Sequence, residues 1–344
     1  MTLLSLVALV GAHAMLNTMA EKPQDFAYGA DLSFARHHES QGRVFYDGDK
    51  AKPVLQIYRD HGHNWIRLRA FVEPVKDGLP NGLDYTIAMA KDAKRLGFKF
   101  LLDFHYSQTW ADPGHQPCPD AWLPLTDQER TQKVQSYTAE TVAAFRQAGV
   151  LPEMVQVGNE VRVGMMWPSG KLPAHWDTFA GYVKAGIAGV REGAGKGRQP
   201  RIMVHYDNGA DWKGAEQFWD KLFSYGITLD VVGYSYYPWW HGTLAQMKEC
   251  FDGTARKYGK EVWAVETAYH MAASPETRGQ KMPFPETPEG QASFLRSVAQ
   301  AVKEVPGGLG TGVFWWEPTL AEISTRGCFD PKGKALPAVY AFEK

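Results

Sequence analysis

Three cysteines in 344 residues are too few, and too widely spaced, for a disulfide framework or a zinc pattern. Cys118, Cys250 and Cys328 allow at most one pair, and nothing in the sequence selects it. Charge of one sign is equally scarce. The 37 basic and 38 acidic side chains leave a net charge of -1, without the basic face that nucleic-acid binding needs. Also missing are a Gly-x-Gly-x-x-Gly turn after the first strand, a phosphate-cradling Gly-x-x-x-x-Gly-Lys-Ser/Thr loop and a Gly-x-Ser-x-Gly nucleophile elbow. The histidines lack metal-ligand spacing. Beyond the N-terminus no apolar run is long enough for a membrane helix. The N-terminal run Leu3–Val10, followed by small residues, reads as a secretory signal peptide over residues 1–20, with residues 21–344 as the working domain. The expected location is therefore secreted or periplasmic.

Aromatic residues are abundant: 12 Trp, 15 Tyr and 17 Phe. Short apolar runs recur eight times, at 26–33, 64–71, 98–106, 153–160, 201–207, 229–238, 261–269 and 312–318. Helix-period stretches lie between them, at 84–96, 127–148, 176–191, 243–258 and 288–305. Strand–helix alternation implies parallel strands, because each return needs a crossover. Eight units of this length, with no linker or shift in composition, predict an α/β fold in a single (β/α)8 TIM barrel.

Chemistry in such barrels collects at the carboxyl ends of the strands. Each run ends in polar or aromatic residues, among them Asp31-Leu32-Ser33, Asp103-Phe104-His105-Tyr106, Gly158-Asn159-Glu160 and His205-Tyr206-Asp207. The others include Tyr234-Ser235-Tyr236-Tyr237, Glu266-Thr267 and Trp315-Trp316-Glu317, while the second run carries Arg67 and Arg69. Glu160 and Glu266 each close an apolar run and lie three strands apart, so they can face each other across the mouth. Two facing carboxyls can divide glycoside cleavage, one protonating the leaving oxygen and the other attacking the anomeric carbon. Trp110, Trp122, Trp167, Trp239, Trp240, Trp315 and Trp316 sit at strand ends or in the loops beyond, where rings can stack on sugar faces. Trp263, inside a strand, is expected in the core. A neutral polysaccharide is the expected partner, with no nucleic acid, no membrane, no cofactor and no metal, and the chain is expected to be a monomer.

Five ordered motifs resemble the family 53 glycoside hydrolases, the endo-β-1,4-galactanases. They are Leu102–Pro113, Val157–Gly170, Tyr234–Pro238, Val265–Tyr269 and Phe314–Pro318. The resemblance runs from Gly29 to the C-terminus. It implies hydrolysis of pectic β-1,4-galactan (type I arabinogalactan) with retention of configuration, Glu160 as acid/base and Glu266 as nucleophile. It places Arg67 and Asn159 beside these carboxyls, Trp316 under the sugar being cleaved and Tyr236 as a hydroxyl bonded to Glu266. Trp110, Asp103, His105, His205 and Asp207 become further substrate-binding candidates. Gln108 stands where the family usually has Asp, and Thr319-Leu320 where it has Ala-Trp, so subsite preference is open. Some relatives bind calcium after the seventh strand, but 267–288 shows no run of acidic ligands. The alternatives are another barrel endo-glycanase, such as a β-mannanase or endoglucanase, and a catalytically inactive carbohydrate-binding barrel.

Overall fold

The computed structural model describes residues 25–74, 78–320 and 325–343. The segment read as a signal peptide lies outside the described residues. Eight parallel strands close into a barrel: β1 (Ala27–Asp31), β2 (Trp65–Ala70), β3 (Lys99–Phe104), β4 (Met154–Val157), β5 (Arg201–Tyr206), β6 (Val231–Tyr236), β7 (Glu261–Thr267) and β8 (Gly310–Trp315). Each strand pairs with its sequence neighbours, and β8 pairs with β1. The crossovers are α1 (Val54–Asp60), α2 (Leu83–Arg95), α3 (Asp127–Gln147), α4 (Trp176–Ala194), α5 (Trp212–Ser224), α6 (Leu244–Tyr258) and α7 (Pro288–Lys303). After β8 the chain returns in turns, and Phe342 packs its ring 4.4 Å from that of Tyr28.

Local chemistry starts several helices. Thr126 and Glu129 form a reciprocal capping box at α3, and Thr243 with Gln246 does the same at α6. Helix α5 is absent from the periodic stretches noted in the sequence, although Ala215, Phe218, Trp219 and Leu222 form its buried face.

The interior shows the two-residue period of the strands directly. Ala27, Trp65, Leu101, Met154, Met203, Val231, Trp263, Val265 and Phe314 form one buried apolar cluster inside the barrel. Trp263 stacks on Phe314 at 5.4 Å and meets Trp65 edge-on at 5.2 Å. Gly312 makes room for the indole, since a Cβ there would lie 2.5 Å from Trp263. Two residues further along the same inward faces, the cluster gives way to polar side chains: Arg67 after Trp65, Asp103 after Leu101, Gln156 after Met154 and His205 after Met203. The barrel is thus plugged with apolar groups below and carries its chemistry above. The outward faces meet the helices in a second, larger apolar cluster. Cys118, Cys250 and Cys328 are buried free thiols.

Helices α3 and α4 approach closely at glycines. A Cβ on Gly189 would lie 2.4 Å from the Gln135 carbonyl oxygen, and one on Gly193 would lie 2.4 Å from that of Ala139. In an open helix, Gly→Ala stabilises by about 1 kcal/mol. Here overpacking reverses the sign, and Gly189→Ala is expected to cost about 1–3 kcal/mol in urea unfolding. A rise in the unfolding midpoint would contradict this packing.

Candidate active site

The mouth opens into a cleft of about 1280 Å³ whose walls include Arg67, Arg69, Asn159, Glu160, Glu266, Trp110 and Trp316. Glu160 is 8% exposed and Glu266 6%, so each carboxyl is held in protein and offers only an edge to the cleft. Glu160 follows the end of β4 in the left-handed region, at φ 50° and ψ 51°. That conformation is costly for a side chain with a Cβ and is typical of functional turns.

Glu266 is held from two sides. Arg67 Nη1 donates to its Oε2 at 2.8 Å, and the Tyr237 hydroxyl donates to its Oε1 at 2.8 Å. Burial and the neighbouring Glu266 charge push the Tyr237 phenol well above its usual pKa, so it keeps the proton it donates. Arg67 is itself fully buried. It also donates to Asp31 Oδ2 at 3.2 Å and to Asn159 Oδ1 at 2.6 Å, and its Nη2 lies 2.8 Å from Asp103 Oδ2. Burial works against its charge, but Asp103, Glu266 and Asp31 more than restore it. Burial likewise works to raise Asp31, and Arg69 and Arg67 outweigh it, holding that carboxyl below its ordinary value. Arg69 pairs with Glu317 and stacks 4.4 Å from the Trp110 ring.

Among the described residues no ion pair to Glu160 is seen. Its Oε1 meets the Ser235 hydroxyl at 2.6 Å. Burial, then Glu266, then Asp207 push its pKa well above the ordinary carboxyl value, against the weaker pull of Ser235 and Arg67. Burial thus favours the neutral form of Glu160, while the Glu266 carboxyl a few ångströms away is in direct contact with a guanidinium.

Glu160, His205 and Glu266 bring one ligand-type atom each within 4.8 Å of one another, the one such group among the described residues. Their partners explain this arrangement without a cation. Arg67 supplies the positive charge at Glu266, and both His205 nitrogens are hydrogen-bonded, Nδ1 to Asn159 at 2.9 Å and Nε2 to Ser235 at 2.8 Å.

Arg67, Asn159, His105, Trp110, Asp207 and Trp316 line the cleft as expected. Asp207 is held by Arg162 Nε at 2.9 Å. Asp103 and His205 do not line it: they are fully buried and bond to the undersides of Arg67 and Asn159. Tyr236 is a correction. Strand pleat turns it outward, where its hydroxyl donates to the Gly242 carbonyl at 3.1 Å and its ring stacks on Phe294, while the next residue, Tyr237, reaches Glu266. Counting by twos from Ser235 would have selected Tyr237. Of the tryptophans expected at the sugar surface, Trp110, Trp240 and Trp316 line the cleft, whereas Trp122, Trp239 and Trp315 are buried in packing. Trp167 is half-buried away from the cleft walls, under Lys171. Gln108 caps Asp120 N at 2.9 Å and Thr319 is fully buried, leaving Leu320 on the wall. Asp31, Arg69, Ser235 and Gln116 also belong to the site. Gln116 Nε2 donates to the Asn159 carbonyl at 2.9 Å, from a loop that no periodicity marks.

A closed (β/α)8 barrel with paired carboxyls under an aromatic-walled cleft defines a glycoside hydrolase. The family model described as "Glycosyl hydrolase family 53" matches residues 27–342. An arabinogalactan endo-β-1,4-galactanase of Thermothelomyces thermophilus is 34% identical over 337 residues, covering 92% of this chain and 98% of the relative. One of Humicola insolens is 33% identical over 92% of this chain and 98% of its own. Among solved structures, the GH53 catalytic domain of Ignisphaera aggregans superposes with a TM-score of 0.86 at 30% identity, covering 94% of this chain and 97% of that one. A fungal β-1,4-galactanase superposes at 0.85 with 32% identity, over 92% and 98%. The chain belongs to glycosyl hydrolase family 53.

The two tyrosines separate experimentally. Tyr237→Phe removes a hydrogen bond to a charged group, worth about 1.5–3 kcal/mol, and should lower kcat/KM for glycoside hydrolysis by about 10- to 100-fold. Tyr236→Phe should change it by less than about twofold, since that hydroxyl serves packing. The reverse pattern would return Tyr236 to the site.

Proposed function

We propose that this glycoside hydrolase is an endo-β-1,4-galactanase working by double displacement on the β-1,4-galactan chains of pectin. The relatives' named activity supports the substrate. The observation that carries the mechanism is the Glu160–Glu266 pair, whose nearest atoms lie within 4.8 Å. Retaining enzymes hold their carboxyl groups about 5–5.5 Å apart, whereas inverting enzymes need about 6.5–9.5 Å to fit a water.

In this reading Glu266 is the nucleophile, held by Arg67 and aimed by Tyr237. Glu160 enters protonated and gives its proton to the departing glycosidic oxygen. It then accepts a proton from the water that releases the glycosyl-enzyme. Asn159, next to Glu160 in the chain and bonded to Arg67, can bond the sugar 2-hydroxyl, an interaction that strengthens as the ring becomes oxocarbenium-like. Trp316 and Trp110, with ring centroids 6.1 Å apart, form the apolar floor on which sugar rings stack. The open cleft suits an internal stretch of polymer. A secreted enzyme would meet this substrate outside the cell.

Linear β-1,4-galactan should be cleaved to shortening oligosaccharides, with β-mannan and cellulose left intact. Cleavage of mannan alone would assign a different polymer to the same machinery. Glu266→Ala should lower turnover by more than about 10³-fold, as expected when one member of a concerted set is removed. Turnover close to wild type would remove the nucleophile assignment.

The pH profile follows from the two carboxyls. Activity needs Glu266 ionised and Glu160 protonated, so kcat/KM should be bell-shaped. Because burial raises the Glu160 pKa, its deprotonation sets the basic limb. Glu160→Ala should erase that limb on an aryl galactoside whose leaving group needs no proton. A limb that persists would assign it to another group.

A further inference from the structure

Ser235, on β6 and without exposure, stands between two groups that compete for its one proton. Its Oγ is 2.6 Å from Glu160 Oε1 and 2.8 Å from His205 Nε2. The arrangement around His205 decides where that proton can go. His205 Nδ1 lies 2.9 Å from Asn159 Oδ1. That Asn159 atom is the amide oxygen, because it accepts from Arg67 Nη2 at 2.6 Å while the amide nitrogen donates to the Ala111 carbonyl at 2.8 Å. An amide oxygen has no hydrogen to give, and the donor Gln156 Nε2, 3.3 Å from Nδ1, has nearer acceptors for its two hydrogens in Asp103 Oδ1 at 2.6 Å and the Gly158 carbonyl at 3.0 Å, so His205 Nδ1 carries a hydrogen of its own. Burial, then the charge of Arg67, holds the His205 pKa well below its usual value, so the ring is neutral at ordinary pH. Nε2 is then a bare lone pair facing the serine hydroxyl.

We propose that Ser235 and His205 form a hydroxyl switch that follows the protonation of Glu160 through the catalytic cycle. The inference rests on reading Glu160 as the acid/base. While Glu160 is neutral and the cleft is empty, its acid proton rests on Oε1 against Ser235 Oγ, and the serine gives its own hydrogen to His205 Nε2; with substrate bound that proton sits on Oε2, the oxygen turned to the leaving group. Every donor and acceptor in that chain is satisfied. When Glu160 loses its proton to the leaving oxygen, its Oε1 becomes a charged acceptor, stronger than the imidazole. The serine hydrogen then turns about its C–O bond from His205 to Glu160. The switch transfers no proton of its own. The acid proton leaves with the first product and is regained from the attacking water. Ser235 is thus a positioning residue that supports both forms of Glu160, and His205 sets the cost of moving from one to the other.

This view separates His205 from the sugar. It also explains why a buried histidine that the cleft does not reach lies against the amide that does.

The two partners should move the acid's pKa in opposite directions. Ser235→Ala removes the donor to ionised Glu160, so the basic limb of kcat/KM should rise by about one pH unit. His205→Met removes the competitor for the serine hydrogen, which then serves the carboxylate at no loss elsewhere, so the limb should fall. The other charged or titratable groups facing this pair stay in place in both variants: Glu266 from β7, Arg67 from β2, Asp207 after β5 with its partner Arg162, His105 after β3, and Tyr237 and His241 after β6.

The measurement is the pH dependence of kcat/KM on β-1,4-galactotetraose for wild type, Ser235→Ala, Ser235→Thr and His205→Met, with thermal unfolding as a control. Opposite shifts, with the threonine variant restoring the wild-type limb, support the switch. Shifts in the same direction, or no shift in Ser235→Ala, overturn it. If His205→Met does not fold, the alanine and threonine pair still decides, because a limb that ignores the hydroxyl excludes the switch. Failure of the acid/base assignment is a separate result, read from a basic limb that survives Glu160→Ala.

Discussion

A guanidinium with no access to water ties the mouth of this barrel together. Arg67 rises from β2 and reaches Asp31 on β1, Asp103 on β3, Asn159 beyond β4 and Glu266 on β7. Burying a charge is tolerable only when its partners are fixed in good geometry, and removing one partner of a buried pair costs about 3–5 kcal/mol. The arrangement therefore acts in both directions. The strands must hold four acceptors in register to keep Arg67 charged, and Arg67 in turn holds the Glu266 carboxylate where a sugar would meet it. The apolar plug of Trp263, Phe314 and Trp65 beneath it removes the room in which the arginine could relax.

The difference between the two glutamates follows from that placement. Glu266 takes the arginine and a phenol. Glu160, close by, takes a serine and the repulsion of its neighbours. Arg67 touches Glu266 and reaches Glu160 only as a weaker pull from further off. That unequal reach of one buried charge suits the acid and nucleophile roles of the proposed double displacement. The tryptophans act at a different level. Trp110, packed against the Arg69 guanidinium and near Trp316, makes an apolar wall suited to the uncharged sugar of the proposed function, in keeping with a protein whose charges nearly cancel.

The barrel was legible because eight apolar runs each closed on polar residues, and the observed strands fall within or within two residues of those runs. Glu160, Glu266, Arg67 and Asn159 were legible for the same reason. What failed was direction and depth. Tyr236 and Tyr237 are chemically alike, and only the pleat of β6 tells which one turns inward. Trp315 looks as available as Trp316, yet the same alternation sends it under the loops, where its indole donates to the Arg326 carbonyl at 3.0 Å. Asp103 and His205 do point into the barrel, but one layer below the cleft floor. That depth comes from the stagger between neighbouring strands, which no single strand's sequence records. Helix α5 escaped notice because its apolar face begins inside a glycine- and tryptophan-rich stretch.

If Glu266 attacks the sugar and Glu160 assists, two inversions occur at one carbon. The most direct measurement is ¹H NMR of the first products formed from β-1,4-galacto-oligosaccharides, read before mutarotation. Under double displacement the newly formed reducing ends appear as the β anomer and relax toward the equilibrium mixture. An initial burst of the α anomer would mean single displacement by water, and the nucleophilic role of Glu266 would be lost.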